Sequence, residues 1–421
     1  MEAMEDKLST RSQRFAWCLY DFANSAFPTV IVTAIYVIYF KDHVVGAGKA
    51  GESDSLWGIA NSVGAAIVFL TAPVLGAIAD VSGKKQHFLI GFAVLCIVAT
   101  GGLYFTGPGT VALAMGLFIA ALVGFEGSTV FYNAFLPQLV EKDKMERLSG
   151  TAWGLGYIGG LGALFACLPL VLIAKRVDLV PLAVAGWFAI FAIYPFVKLK
   201  DKGGALRRAG DPSYVAMGVN RLIGTFKEIK KHSRLLRFLG AYFFYNNAVV
   251  TIIVFSVAFS RDTLFFSMTE NILLISLMNI VAAPGAFFFG RVAQKVGAKR
   301  TIIITLFMWL VVILGAEISA WPGLFSVAEA KMFFWGVSAL ASLCIGAIQA
   351  TSRTFVGQLA PDGHAGEFFG FMAFAGKGSA ILGPLVFGLI SNMFDSQRAA
   401  LLSIAAFFLI GLLLISTLKD E

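Results

Sequence analysis

The chain of 421 residues is 58% hydrophobic and 14% charged, with a formal net charge of +8 and a mean hydropathy of +0.80. That balance excludes a water-soluble globular protein, which does not hide so much apolar surface. Apolar runs of about eighteen residues or more recur, each long enough to cross a ~30 Å hydrocarbon core, and they lack the alternation of barrel strands. The composition implies an all-helical, polytopic membrane protein.

Met1–Arg14 is charged and leads straight into a long first span, so no cleavable signal is expected. Twelve spans are predicted: 15–40, 56–80, 87–106, 110–135, 149–174, 179–198, 237–260, 270–290, 301–320, 331–355, 367–393 and 398–418. They form two six-helix bundles, 1–198 and 237–421, joined by a basic hinge at 199–236. Lys198–Arg237 carries eleven Lys and Arg against Asp201, Asp211 and Glu228. Of the 33 Lys and Arg, 24 fall on the face of the chain ends and 7 in connections on the other face. The positive-inside rule then makes both termini and the hinge cytoplasmic, with a bacterial inner membrane as the expected setting. The basic residues sit in short inter-span loops, so their partners are lipid headgroups and no nucleic acid is called for. Within the hinge, Leu222, Phe226 and Ile229 recur among lysines, which predicts a basic amphipathic helix on anionic lipid.

Cys18, Cys96, Cys167 and Cys344 all fall inside spans without a CxxC pair and read as small buried hydrophobes. His43, His87, His232 and His364 lie in loops or at span ends. No HExxH, GxSxG or phosphate-cradling loop occurs, so neither an enzyme, a cofactor nor a metal is expected.

The two halves repeat each other. Gly76, Ala79, Gly83 and Lys85 after the second span match Gly290, Ala293, Gly297 and Lys299 after the eighth, at an offset of 214. Phe135, Gln138, Leu139 and Gly150 match Phe355, Gln358, Leu359 and Gly370 at an offset of 220. Internal repeats of this kind mark secondary transporters. The Gly76–Lys85 block, with Asp80, Lys84 and Lys85, resembles the loop signature of the major facilitator superfamily, although its second copy has Gln294 in place of the acid. Four further blocks are similar to the vacuole-effluxer-like family of fungal amino-acid effluxers and bacterial permeases: Tyr20–Phe27, Phe131–Pro137, Gly156–Gly160, and Gln349–Arg353 leading to Glu367, Gly370, Lys377, Gly383 and Pro384. Span 7 departs from the family, reading Tyr245-Asn246-Asn247 where an acid and a glycine are usual.

The resemblance implies two bundles around a central cavity open alternately to each side, with spans 1, 4, 7 and 10 lining it, helped by 2, 5, 8 and 11, and spans 3, 6, 9 and 12 facing lipid. The polar residues sort accordingly. An ionisable group costs about 2.5–3.5 kcal/mol at mid-membrane on insertion scales, so it normally faces water or a partner. The candidates for the substrate or ion pathway are Asp21, Asn24, Glu126, Asn133, Tyr157, Tyr245, Asn246, Asn247, Gln349, Arg353 and Lys377. Asp21 either fixes span 1 near Pro28 or serves gating or solute binding, and Arg353 either makes a capping or gate salt bridge at the end of span 10 or binds solute. The tyrosines read equally as helix packing. Lys377, between two glycines about ten residues into span 11, lies too deep to snorkel, and Glu126 has no partner in its own helix. The two are expected to meet across the cavity, and Asp80, Lys84 and Lys85 to form a gate. The function expected is secondary transport of a small polar solute, amino acids first, coupled to protons and carried out by a monomer. An exporter of amphipathic compounds or lysolipids on the same fold is the alternative.

Overall fold

The computed structural model describes residues 9–46, 50–201, 212–227, 233–394 and 396–418. The hinge cations Lys202, Arg207, Arg208, Lys230 and Lys231, the apolar Ile229, and Lys7, Lys49 and Lys419 lie outside the described residues. The first bundle comprises α1 (Arg11–Gly46), α2 (Ala50–Ser82), α3 (Lys85–Gly102), α4 (Val111–Ala134), α5 (Met145–Leu172) and α6 (Val180–Lys198). After the hinge helix α7 (Tyr214–Lys227), the second comprises α8 (Ser233–Asp262), α9 (Met268–Val296), α10 (Ala298–Ser319), α11 (Val327–Leu359), α12 (Ala365–Phe394) and α13 (Gln397–Ser416). Spans 7 to 12 of the sequence are thus α8 to α13. Among the described residues eleven segments are long and apolar enough to cross a membrane, and the thirty-residue α12 completes the second bundle.

Local chemistry sets the starts and breaks. Thr10 with Gln13, Ser267 with Glu270 and Ser326 with Glu329 form reciprocal caps at the starts of α1, α9 and α11. Pro28 lacks a donor, and α1 loosens into wider turns over Phe27–Ala34, where the Thr33 hydroxyl donates to the Pro28 carbonyl at 2.5 Å. Asp201 caps the start of α3 by accepting from the Gln86 N–H at 3.1 Å, and partial burial raises its carboxyl above the ordinary range.

Each bundle has its own apolar core, and the core of the second extends onto Val68, Ala72 and Ala77 of α2 and Val130 and Ala134 of α4. α3, α6, α10 and α13 are outermost, exposing Val98, Ile190, Phe307 and Leu413 as lipid-facing side chains. Two seams join the bundles, α2 against α12 and α5 against α9. Glycine lets the backbones touch. A Cβ on Gly76 would lie 2.2 Å from the Gly366 carbonyl, and one on Gly150 2.5 Å from the Ala286 carbonyl and 2.8 Å from the Gly290 Cα. These contacts lie on the half nearer the chain ends, called the terminal face below. There Ser9 donates to the Leu139 carbonyl and Lys299 to that of Leu418.

The hinge helix α7 forms and packs along α2, burying Leu222 in the core while Val215 and Ile223 stay exposed. The side chain of Phe226 lies outside the described residues.

Candidate functional site

Three polar clusters lie along the boundary between the bundles, from mid-membrane to the terminal face. The deepest joins α4 to α12. Lys377 stands twelve residues into α12, about 18 Å of helix rise, and its ammonium meets the Glu126 carboxylate at 2.5 Å. Both side chains remain about one-fifth exposed, at 23% and 20%. Gly376 and Gly378 leave room for neighbours: the Tyr242 hydroxyl lies 3.1 Å from where a Cβ of the first would be, and Phe69 3.3 Å from that of the second. Phe69 stacks on Phe374 across the boundary at 4.0 Å between centroids. The pair is a mobile-length cation and anion in an apolar, aromatic setting, where a charge is held only by its partner or by water.

The second cluster surrounds Arg353 of α11, which is 3% exposed. Its guanidinium donates to the Asp21 carboxylate of α1 at 2.9 Å, to the Ser149 hydroxyl at 2.9 Å and to the Ser149 carbonyl at 2.8 Å. Ser149 in turn donates to the Ala350 carbonyl at 2.8 Å. The planar cation lies over Trp17 at 4.7 Å, Trp153 at 5.4 Å and Tyr132 at 5.6 Å. A planar fork that also stacks is what arginine offers and lysine does not. One residue of the second bundle is thereby tied to α1 and α5 of the first.

At the terminal face, Asp80 at the end of α2 accepts from the first-turn amides of α12, Gly366 N–H at 3.0 Å and Glu367 N–H at 2.8 Å. A carboxylate suits a helix N-terminus because those amides have no intrahelical acceptor. Lys85 holds the same carboxylate at 2.7 Å. Lys84 stands apart, exposed, with its ammonium 5.8 Å over the Tyr214 ring. Nearby, Gln358 at the end of α11 donates to the Glu146 carboxylate and to the Lys142 carbonyl, the latter at 3.0 Å.

The sequence candidates therefore divide. Glu126 meets Lys377, Asp21 meets Arg353, and Asp80 meets Lys85. Asn246 donates to Ser379 at 2.7 Å, and the Asn247 side chain accepts from the Gly383 N–H at 2.6 Å, so both tie α8 to α12 within one bundle. The Tyr245 hydroxyl lies 2.8 Å from that of Ser352. Asn24 is buried near Asp21. Asn133, Tyr157 and Gln349 are half-buried, Tyr157 packing against the core of the second bundle. Sequence reasoning passed over Ser149, Glu146, Trp17 and Trp153 as partners, and took Glu367 and Arg221 only as members of a block and a basic run. The matched positions Gln138 and Gln358 were the available signal for the third cluster. Among the described residues no group of side chains is arranged to hold a metal ion.

Residues 41–421 match the family described as vacuole effluxer Atg22 like. The chain is 29% identical over 421 residues to an uncharacterized MFS-type transporter, YxiO, of Bacillus subtilis strain 168, covering 97% of this chain and 95% of that one. It is 23% identical over 402 residues to autophagy-related protein 22 of Coccidioides immitis, covering 77% of this chain and 66% of that longer one. Its fold is similar to that of the human organic anion transporter MFSD10 (TETRAN), with a TM-score of 0.75 at 14% identity, covering 97% of this chain and all of the other. At that identity the likeness is one of fold.

Proposed function

The chain belongs to the Atg22-like vacuole effluxer family, whose members are major facilitator transporters rather than enzymes, and from that premise we propose that it carries small zwitterionic solutes, amino acids first, coupled to protons. The observation that carries this reading is the Glu126–Lys377 pair joining the two bundles near the middle of the membrane. A solute with a carboxylate and an ammonium offers each member a replacement partner. Binding then competes with the pair, exchanges one contact between the bundles for two contacts to solute, and lowers the cost of rocking one bundle against the other. When the solute leaves, the pair re-forms and neither charge is stranded in a low dielectric.

The seams closed around Asp80 and Arg353 make this the state shut at the terminal face. In the proposed orientation that face is cytoplasmic, within a bacterial inner membrane, and the protein works as a monomer. Protons are the proposed coupling ion because Glu126, released from Lys377, is an acid able to take one up.

The test is flux of radiolabelled amino acids into proteoliposomes with an imposed pH gradient. Amino-acid flux that responds to the gradient is expected. Glu126→Lys and Lys377→Glu should each lower it at least about a hundredfold, because each leaves two like charges facing one another, and the double swap should restore part of it. Undiminished flux in the single variants overturns the role of the pair. Movement of lysolipid or dye without amino-acid flux favours export of amphipathic compounds instead.

A further inference from the structure

The connection between the bundles carries the densest charge in the chain, and its described part is built into the terminal face. α7 is seated on α2. A Cβ on Gly218 would come within 2.6 Å of the Ile78 side chain and 2.8 Å of its Cα, so only glycine admits this approach. Tyr214 lies under the Lys84 ammonium, and Leu222 is buried. From this seat Arg221 reaches across to the second bundle. Its guanidinium donates to the Gly363 carbonyl at 2.8 Å, and its Nε stands 3.5 Å from the Glu367 carboxylate.

Glu367 is fully buried. His364 Nδ1 lies 3.2 Å from the same carboxylate oxygen that faces Arg221, while the other oxygen accepts no hydrogen bond among the described residues. The Glu367 N–H is held by Asp80, so two buried acids meet at the boundary, Asp80 with Lys85 and Glu367 with Arg221. A buried carboxylate stripped of its cation is strongly unfavourable. Lys85 comes from the first bundle and Arg221 from the connection, so neither acid's cation belongs to the second bundle.

We propose that α7 is a clasp: anchored on α2, it supplies through Arg221 the counter-charge that keeps Glu367 buried, and so holds the terminal face shut. Opening that face parts α2 from α12. α7 travels with α2, Arg221 leaves Glu367, and the acid passes into water with His364 still beside it. The linker is then part of the gate, and its attachment to α2 sets how often the terminal face opens. This rests on the alternating-access reading above, but not on the identity of the solute.

The test uses the full-length protein with its four native cysteines replaced by alanine and a reporter at Met145→Cys. Met145 is 2% exposed and lies in the closed seam, 3.4 Å from the Cβ position of Gly357. Labelling by a water-soluble maleimide measures opening. Arg221→Gln should raise the labelling rate about tenfold, the change expected when a partly buried ion pair stops favouring one of two states. Gly218→Leu, which lifts α7 off α2 with Arg221 intact, should do the same. Unchanged or slower labelling in variants with native helix content overturns the clasp. If Arg221→Gln does not fold, Gly218→Leu and the charge-keeping Arg221→Lys, expected to fall between, decide the matter. Labelling needs no solute, so a failure of the clasp and a failure of the amino-acid reading are seen separately.

Discussion

The two faces of this transporter are held by different kinds of bond. At the terminal face, beside within-bundle bonds such as Lys85–Asp80 and Ser9–Leu139, a set of bonds crosses between bundles or from the connection: Arg353 to Asp21 and Ser149, Asp80 to the first turn of α12, Gln358 to Glu146, Arg221 to Gly363 and Glu367. At the opposite face the corresponding bonds stay within a bundle. Tyr36 meets the Thr106 hydroxyl at 2.9 Å, Lys331 meets Glu270 at 2.8 Å, Thr263 meets Gln397 at 3.0 Å, and Arg398 meets Glu317 at 3.1 Å. The difference separates two tasks. Bonds within a bundle keep a rigid body rigid and survive the conformational switch. Bonds between bundles belong to one state, so breaking them changes the balance of states more than it changes the fold.

That distinction is open to direct attack. The largest effect is expected from Gly150→Leu, because the atoms a side chain would strike are backbone atoms of Ala286 and Gly290, which cannot rotate away. α5 and α9 then cannot close, and flux should drop to background while the Met145→Cys reporter labels at its maximum rate. Retention of half the flux would show that the seam has more slack than its geometry allows. Asp80→Asn comes next. It strips Lys85 of its partner in both states and, in the closed state alone, leaves one α12 amide facing another donor, a further loss of roughly 1–3 kcal/mol. Expression near normal, lowered flux and faster labelling are expected, and wild-type flux would rule out the gate. The smallest effect belongs to the opposite face. Glu270→Gln should lower the melting temperature only slightly, because a solvent-facing ion pair contributes little to stability. Reporter labelling should not move; if it did, bonds within a bundle would also be setting the state.

Much of this was legible in the chain. The spans followed from hydropathy, and the depth of Lys377 and Glu126 followed from counting 1.5 Å per residue. An unpartnered ion at that depth demands a partner, which is why a pairing across 251 residues was readable. The Gly76–Lys85 block carried Asp80 in the same way. Arg353 and Asp21 were each picked out, but not as a pair, because a charge near a helix end has water, lipid headgroups and several acids as alternatives. Ser149 was invisible for a plainer reason: a serine in a span most often bonds its own helix. Asn246 and Asn247 show the limit of periodicity, which assigns a face but not what lies opposite it. The hinge helix was read as amphipathic, but its seat on α2 was not, since an apolar stripe fits a membrane surface and the flank of α2 equally well.

The Glu126–Lys377 pair has an electrical consequence. Moving one uncompensated elementary charge through a membrane potential changes the free energy by about 2.3 kcal/mol per 100 mV. Glu126 and Lys377 together carry none, and a zwitterion set between them adds none. In the proposed cycle the voltage across the membrane therefore has little purchase on this pair, whether it is closed on itself or parted by a neutral solute. A current would appear only with a co-transported ion, so the charge moved per turnover reports directly on what accompanies the solute.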